Sequence, residues 1–344
     1  MSEVMIRRLA DGLTGILPPG APTVLDAAAD VDVMVLEVAG GHLSWNVLAP
    51  QQLPSAVIDD AELAQQWVWA LYGEALALAL DASARTPERE TPVYGAEPGQ
   101  PALAASARRL AYAHWASRWW PASTIDAIPP LDPEVLDRDI AALTEECEFL
   151  VDGADAVAPA VRAPVDALPR AADYALAAGA EGDGPGALVL ARGRGGWDWR
   201  YCPPGLVDAS ERAVSWRVVR EDGATTVAVS AAAAPEAPAD VAAYLRPWAR
   251  IDSGGTLVEA ALTPSGGAWV GAAAVSSAGA PVHVDIHVPG FGIRTGDASV
   301  DLRSRIRDFA AARLRRAVGV SADGQGSDAP LLAEIAAAAE DSDF

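Results

Sequence analysis

The apolar residues of this chain change their spacing once, and that change decides the class of fold. Up to about residue 178 they recur mostly at helical intervals; beyond residue 186 they alternate with a period of two. Between the two regimes lies Gly179-Ala180-Glu181-Gly182-Asp183-Gly184-Pro185-Gly186, which can continue neither pattern and reads as a linker. Pro159, Pro164 and Pro169, just before it, forbid a continuous helix there. The expected fold is therefore α+β: a helical N-terminal region with one β-hairpin, then an antiparallel β-sandwich-like domain with a packed C-terminal helix. The expected domains are residues 1–182, residues 186–318, and a flexible acidic tail over 319–344 that carries a short docking helix.

In the first region the hairpin falls within residues 31–49. Val31 to Val38 is apolar and β-branched, Gly40-Gly41 supplies a turn, and Leu43 to Val47 alternates. A lone hairpin is marginal in water, so this one is expected to pair across the domain boundary or with another chain. A helix capped by Asp59 or Asp60 runs to about Asp81. It is apolar nearly all round (Leu63, Trp67, Trp69, Leu71, Leu76, Leu78), which predicts burial. Residues 83–101 read as a loop. A second helix covers Leu103 to Trp120. A third starts at Asp132 with Pro133 in its first turn and buries Leu136, Ile140, Leu143, Cys147 and Leu150.

After the linker, strands are predicted at 187–192, 197–202, 213–220, 224–232, 256–262, 268–275 and 282–288. A helix follows over 299–317. Gly319 to Pro330 is too poor in apolar residues to order itself, and Leu331 to Glu340 can form a short helix.

Composition excludes more chemistry than it permits. All 25 basic residues are Arg. Without Lys there is no Walker-A lysine, no Schiff base and no low-pKa amine, and guanidinium cannot substitute for any of them. No cofactor is expected. The formal net charge of −22 repels nucleic acid and anionic membranes, so the expected partner is another protein. The Arg-for-Lys bias and the abundance of Ala point to a GC-rich bacterial genome. Residues 1–8 lack the apolar run of a signal peptide and no stretch is long enough to span a bilayer, so a cytoplasmic protein is expected.

Candidate chemical groups are few. His283, Asp285 and His287 share one face of a strand, but the outer two lie about 13 Å apart at strand rise, too far for one metal. No metal site is expected. His114 reads as a half-buried helix histidine and His42 as a turn residue. Neither Ser253 nor Ser265 has the Gly-x-Ser-x-Gly setting of a nucleophile elbow. Cys147 lies in an apolar stripe, which leaves Cys202 as the candidate reactive thiol. Arg192 and Arg194, in Arg-Gly-Arg-Gly-Gly between two strands, form a weak candidate anion cradle. Trp197, Trp199 and Tyr201 alternate onto one face, either core or a platform for sugars or a partner protein.

Two features point to partner binding. The helix over 299–317 carries six Arg against two Asp, with Leu302, Ile306, Phe309, Ala310 and Leu314 as its stripe. Such a helix can bind an acidic protein, nucleic acid or anionic lipid through Arg303, Arg307, Arg315 and Arg316, or pair with this chain's own carboxylates. The tail combines carboxylates with Leu331, Leu332, Ile335 and Phe344, a pattern suited to docking in a groove of this chain or of a partner. The expected function is a non-catalytic interaction or adaptor component of a bacterial multi-protein system. The alternative is a hydrolase or transferase with a site assembled from dispersed Asp, Glu, His and Arg. A pocket holding two convergent carboxylates, or a His with a carboxylate, would favour that alternative.

Overall fold

The computed structural model describes residues 2–26, 31–85, 93–157, 187–238, 240–276, 281–292, 300–319 and 326–341. Its elements, in order, are β1 (Ser2–Arg8), β2 (Thr14–Leu17), β3 (Val33–Val38), β4 (Gly41–Asn46), β5 (Ser55–Ile58), α1 (Ala61–Tyr72), α2 (Glu74–Arg85), β6 (Val93–Ala96), α3 (Pro101–Trp119) and α4 (Pro133–Glu146). Then come β7 (Leu188–Gly195), β8 (Val214–Glu221), β9 (Ala224–Ala232), β10 (Trp248–Ser253), β11 (Thr256–Ala261), β12 (Thr263–Ser265), β13 (Ala268–Ala274), β14 (Val282–His287), α5 (Val300–Ala317) and α6 (Leu332–Asp341). The class is α+β. The described residues of Met1–Trp120, Leu131–Arg162 and Ala312–Phe344 form one unit, and those of Pro121–Pro130 and Ala163–Ala311 the other. The expected linker, Gly179 to Gly186, lies outside the described residues.

The first unit is not a helical domain with one hairpin. It holds a six-stranded antiparallel sheet, ordered β3-β4-β5-β2-β1-β6. The hairpin β3–β4 is present, with Val38 opposite Gly41 across an Ala39-Gly40 turn. Beyond β4 the sheet continues with β5 of the same unit, rather than with a strand of the other unit. β1, β2 and β5 escape sequence reading because two are only four residues long and β5 is buried at every position, so it shows no alternation.

Helix starts follow local cap chemistry. The Asp60 carboxylate accepts the amides of Glu62 and Leu63, and Asp132 accepts those of Glu134 and Val135 ahead of Pro133. The expected single helix to Asp81 is instead two, broken at Gly73, whose φ is +91°. A Cβ there would stand 2.7 Å from the Glu97 carbonyl oxygen, so only glycine fits. Beyond the break α2 folds back, and Gln65 Nε2 donates to the Ala77 carbonyl at 3.0 Å. Trp67, Leu71, Leu76 and Leu80 are buried, each contributing about 1.5–3 kcal/mol. Residues 83–101 are not one loop, since they hold the end of α2, β6 and the start of α3. Two buried indoles tie loops to the core: Trp67 Nε1 donates to the Ala39 carbonyl at 2.6 Å, and Trp115 Nε1 to that of Val31 at 2.7 Å.

α6 belongs to this unit. Leu331, Ala333, Ala337 and Ala338 are buried, and the Asp139 carboxylate of α4 accepts the amides of Leu332 and Ala333. Glu334, fully buried, receives Arg313 Nε at 2.8 Å, Arg313 Nη2 at 2.5 Å, the Tyr112 hydroxyl at 2.7 Å and the Leu331 amide at 2.8 Å. The guanidinium also lies 4.5 Å from the centre of the Tyr112 ring, which stacks on Trp115.

The second unit has antiparallel sheets ordered β12-β13-β9-β8-β7 and β11-β10-β14. Residues 197–202 are not a strand. They form a 3₁₀ turn over Trp199–Tyr201, held by Asp198, whose carboxylate accepts the Arg200 amide and pairs with its guanidinium at 2.7 Å. Trp197 and Trp199 are nonetheless buried. β10, at the centre of the three-stranded sheet, was missed because its Trp-Ala-Arg-Ile-Asp-Ser run is half polar. The carboxylate of buried Asp208 ties this unit's loops together, accepting from the Ser123 and Thr124 hydroxyls and the amides of Thr124 and Ser210. Burial raises its pKa against the pull of those hydrogen bonds.

Removing one partner of the Arg313–Glu334 pair leaves a buried charge uncompensated, at a cost of about 3–5 kcal/mol. Glu334→Ala should therefore lower the urea midpoint markedly, whereas Glu145→Ala, at an exposed position of α4, should leave it in place. Equal midpoints for the two variants would show that the pair does not hold the helix.

Candidate functional site

The bend at Gly73 leaves a groove between α1 and α2. Its walls are Gln65, Gln66 and Trp69 of α1 and Glu74 and Leu78 of α2; Gln100, just before α3, and Phe149, after α4, close it. Its volume is about 550 Å³. Trp69, Leu78 and Phe149 stand 44%, 61% and 49% exposed, a large apolar area left in water by a fold that buries their neighbours. The cause is the excess of apolar residues on these helices. Trp67 and Leu71 lie one turn apart and face the core, so Trp69 is forced outward. The predicted burial of the whole helix fails for Leu63, Trp69 and Leu78 for this reason.

The groove is one-sided in charge. No Arg or Lys occurs in residues 9–84, 90–107 or 139–161, the three stretches that supply its walls. Those stretches bring Glu62, Glu74, Glu97, Glu145 and Glu148, all exposed.

A second polar cluster lies on one face of the three-stranded sheet. Arg250 of β10 is opposite Glu259 of β11 and Asp285 of β14. Its Nη2 meets Glu259 Oε1 at 2.9 Å, and His287 Nε2 stands 3.7 Å from the same oxygen. Arg250 Nη1 and His287 Nδ1 are buried without a hydrogen-bond partner. Burial and the Arg250 charge lower the His287 pKa, opposed by Glu259 and Asp285. Ser253, the hydroxyl nearest in sequence, has the opposite strand parity and is no nucleophile for this imidazole. His283 is solvent-exposed, 3.2 Å from Asp285. Among the described residues, no group of three or more His, Cys, Asp and Glu is placed to hold a metal ion.

The residues singled out from sequence are scattered. Arg303 donates to both oxygens of Glu211, and Arg307 pairs with Glu211 at 3.2 Å and Asp126 at 3.4 Å. Both are thus committed to carboxylates of their own unit. Arg315 and Arg316 are exposed. In the tail, Leu331 is buried, Leu332 exposed and Ile335 half-buried; Phe344 lies outside the described residues. Arg192 and Arg194 are not in a hairpin loop, because β7 runs on to Gly195; they are exposed on one face of an edge strand, opposite Arg217 and Ser215. Cys202 is buried, and burial with the Asp198 charge pushes its thiol far up, so it is not a reactive thiol. Cys147 is pushed up to about 12 by burial and by Glu146. His114 is lowered by burial, against Asp155 at 3.8 Å. No helix of the described residues is long and apolar enough to cross a membrane. The groove was not foreseen; its signal was an all-round apolar helix with a glycine in its middle.

No family model, no curated protein and no solved structure matches the chain.

Two measurements check these environments. Both thiols should resist a thiol reagent at pH 8 until denaturant is added; rapid labelling of Cys202 in the folded chain would contradict its burial. The His287 ring should titrate below the ordinary 6.5, and Glu259→Gln should lower its NMR midpoint further by leaving Arg250 unopposed. The folded value lies below the unfolded one, so the neutral ring contributes stability above pH 6.5 that is lost as pH falls through the folded value. A midpoint that rises in Glu259→Gln would refute the assignment.

Proposed function

We propose that this chain is a non-catalytic interaction component of a bacterial multi-protein system, and that the groove between α1 and α2 takes its protein partner. The observation that carries this reading is the grouping of Trp69, Leu78 and Phe149, half out of water around one concavity. Full burial of three such side chains contributes about 1.5–3 kcal/mol each, and a central Trp is a preferred anchor at protein interfaces. The charge of −22 works against nucleic acid and anionic lipid as alternatives. In this reading Arg303, Arg307 and α6 are not the partner surface, because their charges and apolar faces are used within their own units, while the exposed Arg315 and Arg316 remain as outlying contacts. The second unit's two sheets act as a sandwich-like scaffold, and the cytoplasm is the compartment.

One observation favours a second reading, a hydrolase or transferase: the half-buried pairing of His287 with Glu259 beside Arg250. A neutral imidazole oriented by a carboxylate is the usual form of a general base. Turnover of nitrophenyl esters or phosphates that disappears in His287→Gln would support it.

The interaction reading is tested by replacing Phe149 or Leu78 with p-benzoylphenylalanine and irradiating cells of the source organism. One discrete protein adduct is expected at both positions, absent in Trp69→Asp. No adduct, or the same adduct from the exposed control position Leu188 in the second unit, would overturn the reading.

A further inference from the structure

We infer that the occupant of the α1–α2 groove is a cationic amphipathic helix of a partner protein, with apolar residues along one face and Arg or Lys on its flanks. This rests on the reading of the groove as a partner site and gives that partner a chemistry.

Three observations lead there. The first is charge. The three stretches that wall the groove contain no basic residue, while Glu74 lines it and Glu62, Glu97, Glu145 and Glu148 belong to the same stretches. An apolar segment with acidic flanks would be repelled; one with basic flanks gains attraction at the rim and faster encounter. The second is shape. With Trp69, Leu78 and Phe149 each about half exposed, the groove cannot enclose a small molecule, whose sites bury most of its surface. An element laid along it can cover all three. The third is backbone. α1 and α2 form most of the walls and satisfy their own amides and carbonyls within the helices, so they offer no strand edge for an extended peptide to extend. A helix brings its own hydrogen bonds and needs only apolar contact at i, i+3, i+4 and i+7. The amides of Gln66 and Gln100 suit the partly polar flanks of such a helix.

The experiment uses the full chain and three fluorescein-labelled peptides of about 15 residues. One has a Leu stripe flanked by Arg. The second has the same stripe flanked by Glu. The third has the first peptide's composition with its Leu positions scrambled. By anisotropy, the Arg-flanked peptide should bind at least about tenfold more tightly than either other. Its affinity should fall as NaCl rises from about 50 to 300 mM. Trp69→Ala and Leu78→Ala, both at exposed positions and checked for folding by circular dichroism, should each weaken it severalfold, and Glu74→Gln should reduce the salt dependence. Equal binding of the Glu-flanked or scrambled peptide, no loss in Trp69→Ala, or no binding by any peptide would overturn the inference. In each of those cases the photo-adducts at Phe149 and Leu78 still decide separately whether the groove takes a protein at all.

Discussion

The first unit depends on the burial of one carboxylate. Glu334 has no exposure to solvent, and such a charge is tolerable only when every oxygen is answered. Four donors answer it, from α5, α3 and the residue that precedes α6. The answering cation is itself fully engaged: Arg313 donates to the Asp328 and Ala329 carbonyls as well and rests on the Tyr112 ring. Arg108, alongside on α3, binds the Asp328 carboxylate. The segment before α6, which composition marks as unable to order itself, is thus held at 326–331 by guanidinium groups on other helices. Asp139, far away in sequence, then accepts the Leu332 and Ala333 amides at the start of α6, beside the Leu331 amide that Glu334 itself accepts.

How much of this was legible in the sequence follows the range of each interaction. Asp60, and Asp132 with Pro133, announce helix starts because the cap bonds reach only two or three residues along the chain. The β8 and β9 strands announce themselves because their apolar residues, Val214, Trp216 and Val218 on one and Val227 and Val229 on the other, fall on alternate positions. Trp197 and Trp199 were read as alternating on a strand, but a 3₁₀ turn buries both, with the Trp197 indole donating to the Asp208 carbonyl. The break at Gly73 was hidden because the constraint on that glycine comes from Glu97, on another element. In the same way nothing near Arg303 in sequence marks Glu211, 92 residues away, as its partner. Arg side chains read as a binding surface were consumed by contacts that only the fold creates, while the groove formed where apolar residues outnumber the buried positions available to them.

Charge distribution separates the two kinds of surface more sharply than net charge does. The basic residues sit mainly on α3, the second unit and α5, and where their partners can be seen, most meet carboxylates of the same unit: Arg200 with Asp198, Arg250 with Glu259, Arg303 with Glu211. On α1 and α2 the exposed acids Glu62 and Glu74 stand in a stretch, residues 9–84, that contains no Arg. Of these acids Glu74 lines the groove, beside the exposed Trp69.

Chain order turns this architecture into a schedule. Tyr112 and Asp139 are translated well before the residues of α6 that complete their surroundings; Tyr112 precedes Glu334 by 222 positions. At about 5–20 residues per second a ribosome needs on the order of 10–45 s to cover that distance. The second unit lies entirely within that interval, in Pro121–Pro130 and Ala163–Ala311. It can finish folding while the first unit still lacks its last helix. For that time the nascent first unit shows an unfilled apolar seat and an Asp139 carboxylate without the amides it will accept, a transient surface that α6 of the same chain, or of a neighbouring nascent one, can fill.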